Sequence, residues 1–296
     1  MCLICFTPLD DLIDVPFIDC NGCDTLTTIP PELVNLKELH CVNCINLISI
    51  PSTLINLKTL YCSNCTLLTD ISSSFVNLQI LGCDWCPVLS TIPPTLVNLQ
   101  ILYCISCPAL SFIPGTLVNL HTVDCSLCNS LSAIPDSWVN LQILYCANCP
   151  LLRIIPESLV NLIKLDCSSN PLSTIPATLV CLQHLYCSNC PLLTTIPASL
   201  VNLLHIGCED CPILSNIPSS LIKLDLLWCN NCPYLYIPFK MKSKFKIVSN
   251  NKVTIFVSKL KGIWCKIQAK KMTRFLTKEY QKIPSVLHTI VSSYLF

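Results

Sequence analysis

Leucine and isoleucine recur along the chain in a fixed frame, not at the 3.6-residue spacing of an amphipathic helix. Ile-Pro first stands at Ile29-Pro30 and returns every 21 residues as far as Ile237-Pro238. The step shortens to 20 after Ile155 and after Ile217, and Ile71-Ser72 fills the one gap. The unit from Ile92 to Phe112, IPPTLVNLQILYCISCPALSF, shows the pattern I-P-x-x-L-V-N-L-x-x-L-x-C-x-x-C-P-x-L-x-x. Within it, Leu99, Leu102 and Cys104 predict a short strand near Leu102, with alternate residues facing opposite sides. The same frame predicts strands centred on Leu39, Leu60, Leu81, Leu102, Val123, Leu144, Leu165, Leu185, Ile206 and Leu227. Pro93 fixes φ and lacks an N–H, so the far side of each coil should be extended or polyproline-like, not helical. Ile92, Leu96, Leu99, Leu102, Cys104 and Leu110 should turn inward. Each large buried side chain contributes ~1.5–3 kcal/mol, while ordering costs ~1–2 kcal/mol per residue. A lone unit should not fold; a stack should.

The stretch L-x-x-L-x-C-x-x-C-x-x-L resembles the leucine-rich repeat, L-x-x-L-x-L-x-x-N/C-x-L. The resemblance runs from Ile18 to Pro238, about eleven units. The Ile-Pro element and the short unit are similar to the repeats of bacterial effectors. The L-x-C-x-x-C variant is most similar to leucine-rich-repeat proteins of mimivirus-type giant viruses. The resemblance implies a leucine-rich-repeat solenoid with a parallel β-sheet on its concave face and a mostly extended convex side. Residues 1–17 would form an N-terminal cap, 18–238 the solenoid, and 239–296 a small α/β, basic C-terminal cap or tail.

Only 5 glycines stand beside 22 prolines and 25 cysteines, so turns must be made by other residues, with proline and cysteine as the candidates. The odd cysteine count prevents complete pairing. Ten units carry C-x-x-C, and consecutive pairs such as Cys41/Cys44 and Cys62/Cys65 are separated by 17 residues, a spacing that fits zinc sites. The repeat frame opposes zinc. The first cysteine replaces an inward leucine, and the second stands where the leucine-rich repeat has its turn-bonding asparagine. In LDCSSNPLSTIP, Cys167 is followed by Asn170 at that place, a good turn hydrogen-bonder and a poor zinc ligand. Strands ~4.8 Å apart would also set the thiols in two rows, not in tetrahedral clusters. The expectation is core cysteine, with no metal and no cofactor. Cys2, Cys5, Cys181 and Cys265 lie outside the rows and receive no role. Asn35, Asn56, Asn77, Asn98, Asn119, Asn140, Asn161 and Asn202 are expected to form a buried ladder bonding turn backbone.

Function should lie on the strand residues that point outward and line the concave face. The position before the first cysteine holds Tyr61, Tyr103, Asp124, Tyr145, Asp166, Tyr186 and Trp228, and the position two earlier holds Lys164, His184 and His205. Exposed aromatics suit protein recognition; the plainer reading is that tyrosine is a good strand residue. The predicted partner surface comprises Tyr61, Tyr103, Asp124, Tyr145, Asp166, His184, Tyr186, His205 and Trp228. His184 and His205 should lie one strand apart, ~5 Å, near Asp166 and Glu209, as a polar rim or as a metal or acid/base site. The chain has no glycine-rich phosphate loop, no HExxH and no GxSxG, so no catalytic residue and no enzyme activity are expected.

Residues 240–296 hold 13 Lys/Arg against one acid, whereas residues 1–239 hold 5 against 16 acids. FKIVSNNKVTIFV reads as two short strands around Asn250-Asn251, followed by helical spacing and a last helix from Pro284. Such a basic amphipathic tail suits nucleic acid or anionic membrane, or serves as a cap. The ending KIPSVLHTIVSSYLF resembles the start of an F-box through Ile283, Pro284, Leu287, Ile290, Val291, Tyr294 and Leu295. This implies recruitment of a host ubiquitin-ligase adaptor. No secretory leader and no ~18-residue apolar run is visible, so a cytoplasmic protein without a transmembrane segment is expected, in the host cytoplasm if viral. The leading expectation is a non-enzymatic module binding an unidentified protein. The alternatives are a ubiquitin-ligase substrate receptor and a basic-tail nucleic-acid or membrane binder.

Overall fold

Each unit contributes one three-residue strand: β1 Phe17–Asp19, β2 Glu38–His40, β3 Thr59–Tyr61, β4 Ile80–Gly82, β5 Ile101–Tyr103, β6 Thr122–Asp124, β7 Ile143–Tyr145, β8 Lys164–Asp166, β9 His184–Tyr186, β10 His205–Gly207, β11 Leu226–Trp228 and β12 Lys246–Val248. They form one parallel sheet in chain order. The structure, a computed structural model, describes residues 2–238 and 246–249. The chain divides into two compact units, 1–251 and 252–296. The second unit lies outside the described residues, and with it the F-box-like residues Ile283 to Leu295.

Every strand centre predicted from the repeat is the middle residue of a strand, and register pairs middle with middle, as in Leu81 with Leu102 and Leu102 with Val123. β1 around Ile18 and β12 around Ile247 carry the sheet one strand further at each end. The middle residues of β1 to β11 are wholly buried, and so are the inward positions of the coil: Ile92, Leu96, Leu99, Leu102, Cys104 and Leu110. The larger Phe75 and Trp138 take the same place as Leu96 and are equally buried.

The far side of the coil contains no helix among the described residues; the helical segments are α1, Leu3–Phe6, and a single 3-10 turn at Leu9–Asp11. Three-residue steps carry the chain round instead. In the second coil, Leu33 N–H donates to the Pro30 carbonyl, Leu36 to Leu33, Cys44 to Cys41 and Leu47 to Cys44. Proline therefore opens this turn in the second coil and in most others, as composition led us to expect, with Ser72 in its place before Phe75. The sharpest turn has another maker. The residue immediately before the second cysteine adopts positive φ in coil after coil, from Asn43 at 60° to Asn231 at 54°, and Gly22 supplies it in the first. Its N–H donates to the next coil, as in Asn43 to Ser63 O and Leu127 to Ala147 O, both at 2.8 Å. Asparagine and aspartate tolerate this left-handed region, but Trp85 and Leu127 also occupy it.

Both side-chain ladders are present, and one lies elsewhere than expected. Cys44 Sγ donates to the carbonyl of Cys20, the first cysteine one coil back, at 3.1 Å, and the pattern repeats to Cys232 and Cys208. Asn170 does the same job more fully: Nδ2 donates to Cys146 O at 2.8 Å and Oδ1 accepts from Cys149 N–H at 2.7 Å. The asparagine row was expected to be buried. It bonds backbone, with Asn56 Nδ2 donating to Val34 O and Asn98 to Val76 O at 2.8 Å, yet its members are largely solvent-exposed. Their carbonyl acceptors lie at the surface of the preceding coil, so the amide need not enter the core.

Two substitutions test these local devices by chemical denaturation. Asn170→Ala strands the buried Cys146 carbonyl and Cys149 N–H, and should lower stability by about 1–3 kcal/mol. Asn170→Cys restores the neighbours' thiol donor and should lose less. Leu127→Asn, at a position already half-exposed, should raise stability by about 1 kcal/mol by relieving left-handed strain.

Candidate functional site

In β2 to β11 the middle residue faces the core and its two neighbours face the sheet's open side, so two rows of outward side chains run across the strands. Parallel one-to-one register stacks equivalent positions, bringing Tyr103, Asp124, Tyr145, Asp166 and Tyr186 onto one line. All are half-buried, as are Tyr61, His184, His205 and Trp228.

Glycine decides where two of the rings lie. A Cβ on Gly82 would stand 2.6 Å from Tyr61 Cδ1, and one on Gly207 would stand 3.1 Å from Tyr186 Cδ1. Tyr61 and Tyr186 therefore lean over the neighbouring strand, into space that only glycine leaves open. Across Gly207, Tyr186 meets Trp228 at 6.3 Å between ring centres. At the other end, Phe17, His40 and Tyr61 make successive edge contacts at 5.1 and 5.0 Å. The Lys164 ammonium sits 4.9 Å from the Tyr145 ring centre and 5.7 Å from that of Tyr186, a cation held between two aromatic faces. Contact with the Tyr145 hydroxyl and the neighbouring phenols raises its pKa, so it stays charged.

The aspartates have a second job. Asp124 Oδ1 accepts from Ser126 N–H at 3.1 Å and Asp166 Oδ1 from Ser168 N–H at 3.0 Å, closing the turn that leaves each strand. Burial raises the Asp124 pKa against those hydrogen bonds. Asp84, which the repeat frame did not single out, is likewise raised by burial and ties three coils together through Ser63 and the Ile105 N–H.

His184 and His205 do meet, with Nδ1 atoms 3.2 Å apart and ring centres 4.8 Å apart. The carboxylate nearest His205 Nε2 is the exposed Asp225, at 4.0 Å, while Glu209 accepts from Asn230. Burial, then the charges of His205 and Lys164, lower the His184 pKa. Burial pushes the first-row thiols Cys62 and Cys146 well above the usual thiol range, whereas contact with the first-row sulfur one coil back lowers second-row Cys107 and Cys149. Beside the strand starts, a polar groove is lined by His121, Gln142, Gln183 and the exposed Cys181, which interrupts the asparagine row. The repeat valine of L-V-N-L forms an exposed apolar row that strand-based reading missed, one residue per coil from Val34 to Ile222.

The Leucine Rich Repeat family matches residues 56–78, 140–162, 161–182 and 181–203. The fold is a leucine-rich-repeat solenoid. A leucine-rich-repeat protein of Leptospira interrogans superposes with a TM-score of 0.51 at 19% identity, over 75% of each chain. The functional domain of InlJ from Listeria monocytogenes, described as including a cysteine ladder, superposes at 0.51 with 21% identity. That match covers 81% of this chain and 64% of the InlJ structure, so this chain matches less than two thirds of its length. The internalin InlF of Listeria monocytogenes also scores 0.51, at 17% identity over 82% of this chain and 84% of its own. No curated protein sequence matches this chain. No helix among its described residues is long and apolar enough to cross a membrane.

His184 gives the site a pH signature. Its folded pKa is lowered, so the unfolded chain binds the proton more readily, and stability should fall as pH drops through the ordinary histidine range. His184→Gln should flatten that part of the Tm-against-pH curve between roughly pH 7 and 5. Parallel curves for the two proteins would show that the ring is not held as described.

Proposed function

We propose that this leucine-rich-repeat protein is a non-enzymatic protein-interaction module whose partner docks on the open, concave face around Tyr103, Tyr145 and Tyr186. The observation that carries the reading is the aromatic line on that face, with Lys164 clasped between Tyr145 and Tyr186 and two rings seated over glycines. Rigid, half-exposed aromatics offer large apolar area at low conformational cost. Asp124 and Asp166, interleaved among them, favour a partner bearing Lys or Arg, although each already holds a turn. The solenoid fold, shared with the internalin, fits a scaffold without catalytic groups. A reducing compartment suits the second-row thiols, which act as hydrogen-bond donors. The likeness of the L-x-C-x-x-C units to giant-virus repeat proteins extends the reading to a host cytoplasm.

The test is affinity purification with the full chain as bait, followed by mass spectrometry and direct binding measurements. Tyr103→Ala/Tyr145→Ala should weaken a captured partner at least tenfold, since each anchor is worth ~1–2 kcal/mol or more. Its melting temperature should stay close to that of the parent, because the changes are at the surface. Partners that survive this double change but vanish when residues 239–296 are removed would transfer the function to the basic tail and sink this reading.

A further inference from the structure

The cysteine ladder has an end, and the end is chemically unlike the rest. From Cys44 to Cys232 each second-row cysteine donates its S–H to the carbonyl of the first-row cysteine one coil back, with Asn170 standing in once. Cys23 occupies that position in the first described coil, which α1 and not another coil precedes. Its sulfur faces other sulfurs instead. Cys5 Sγ lies 3.5 Å away, Thr25 Oγ1 lies 3.4 Å from Cys23 Sγ and 3.6 Å from Cys5 Sγ, and the sulfurs of Cys2, Cys5 and Cys23 all fall within 4.8 Å of one another. Cys2 and Cys23 are buried and Cys5 is exposed, so the group is walled on the core side and open to solvent on the other.

Cys2 and Cys5 flank the start and body of α1, a C-x-x-C step that brings both side chains to the same side of one helical turn. Neither belongs to the repeat, and no core requirement calls for a thiol at the exposed Cys5. Three thiolates bound to one ion at the usual ~2.3 Å metal–sulfur distance have sulfurs about 3.8 Å apart. The Cys5–Cys23 separation of 3.5 Å lies close to that value, and the other two sulfur pairs lie within 4.8 Å. The donors are all sulfur, with no imidazole or carboxylate in the group, which selects soft closed-shell ions over hard ones.

We propose that Cys2, Cys5 and Cys23 form a binding site for one thiophilic ion, Cu(I) or Zn(II), that pins α1 onto the first coil. Binding breaks three S–H bonds, forms three sulfur–metal bonds and releases three protons to solvent. Trigonal Cu(I) is complete with three thiolates; Zn(II) takes water in its fourth position. The ion would do for the first coil what the preceding coil's carbonyl does for every later one, which is to occupy the second-row sulfur. The ladder cysteines beyond Cys23 take no part, because each is already engaged with backbone.

The test uses the full chain, purified reduced and stripped by a chelator, then titrated with Zn(II) in one arm and Cu(I) under anaerobic conditions in the other. Wild type and Cys181→Ser should each retain one equivalent of ion. In both, bound ion should raise the melting temperature and protect Cys5 from alkylation, as read by peptide mapping. Cys5→Ser, at an exposed position, should keep the metal-free melting temperature yet bind the ion at least tenfold more weakly and show no metal-induced shift. Cys5→Ala should behave alike. The arm giving the tighter, protecting equivalent identifies the ion. Equal binding by Cys5→Ser and wild type, failure of the folded wild type to hold an equivalent of either ion, or isolation of the protein with Cys5 and Cys23 joined as a disulfide would each overturn the proposal.

Discussion

A stack of 21-residue coils must find, once per coil, a hydrogen-bond donor for the carbonyl that follows each strand. The strand turns inward there, so the first-row carbonyl points along the stack into a region that water does not reach, and an orphaned buried carbonyl costs about 1–3 kcal/mol. A side chain of the following coil donates to it, Cys44 to Cys20, Cys107 to Cys83 and Asn170 to Cys146, while the carbonyls of Cys20 and Cys41 also accept the N–H of Cys23 and Cys44. Much else follows from meeting that need with a short side chain. The donor must stand three residues after the first cysteine, so the chain must reverse within two residues, and the second of them is driven to positive φ. That reversal turns its own N–H toward the next coil and adds a further backbone bond per unit. A thiol suffices because it is small, apolar in bulk and still a weak donor; an amide does more but demands a second partner, which Asn170 finds in Cys149 N–H.

With the interior so fully specified, freedom is confined to the outward positions. The strand centre is restricted to Leu, Ile or Val throughout, while the residue after it ranges over His, Tyr, Gly, Asp and Trp from β2 to β11. Chemistry on that face is therefore a matter of neighbours. A tyrosine beside glycine leans across the adjacent strand, as Tyr61 does over Gly82, whereas Tyr145 faces Lys164 and engages the ammonium. The two smallest residues in the row thus shape the recognition surface as much as the large ones.

The division between repeat and non-repeat also explains what the sequence revealed. Strand centres, inward positions and the structural role of the ladder cysteines were legible because each is repeated about ten times, and Asn170 substituting for cysteine disclosed the role of the position. Features that depend on which residue fills a fixed backbone slot were harder. Trp85 and Leu127 in left-handed turns look ordinary in sequence, since nothing in those residue types announces positive φ. Depth was misjudged for the asparagine row, whose regularity is equally compatible with a surface ladder. Asp124 and Asp166 read as exposed strand residues, but each has a serine two residues on whose N–H it accepts, a short Asx-type signal that was visible and could have been weighed.

What periodicity cannot convey is the boundary. A repeat satisfies its groups by translation, each coil serving the next, and the first coil inherits a position without the neighbour that position was built for. Cys23 has the same local sequence context as its successors, C-x-x-C after a strand, yet faces α1 instead of a carbonyl. The non-repeat residues next to it are under a different constraint from the rest of the molecule. They must close an open end, cover apolar surface and engage a sulfur left over from the ladder. Cys2, buried against the first coil, and Cys5, exposed beside it, meet those demands together, so the segment with the least resemblance to the repeat is the one whose chemistry the repeat most directly dictates.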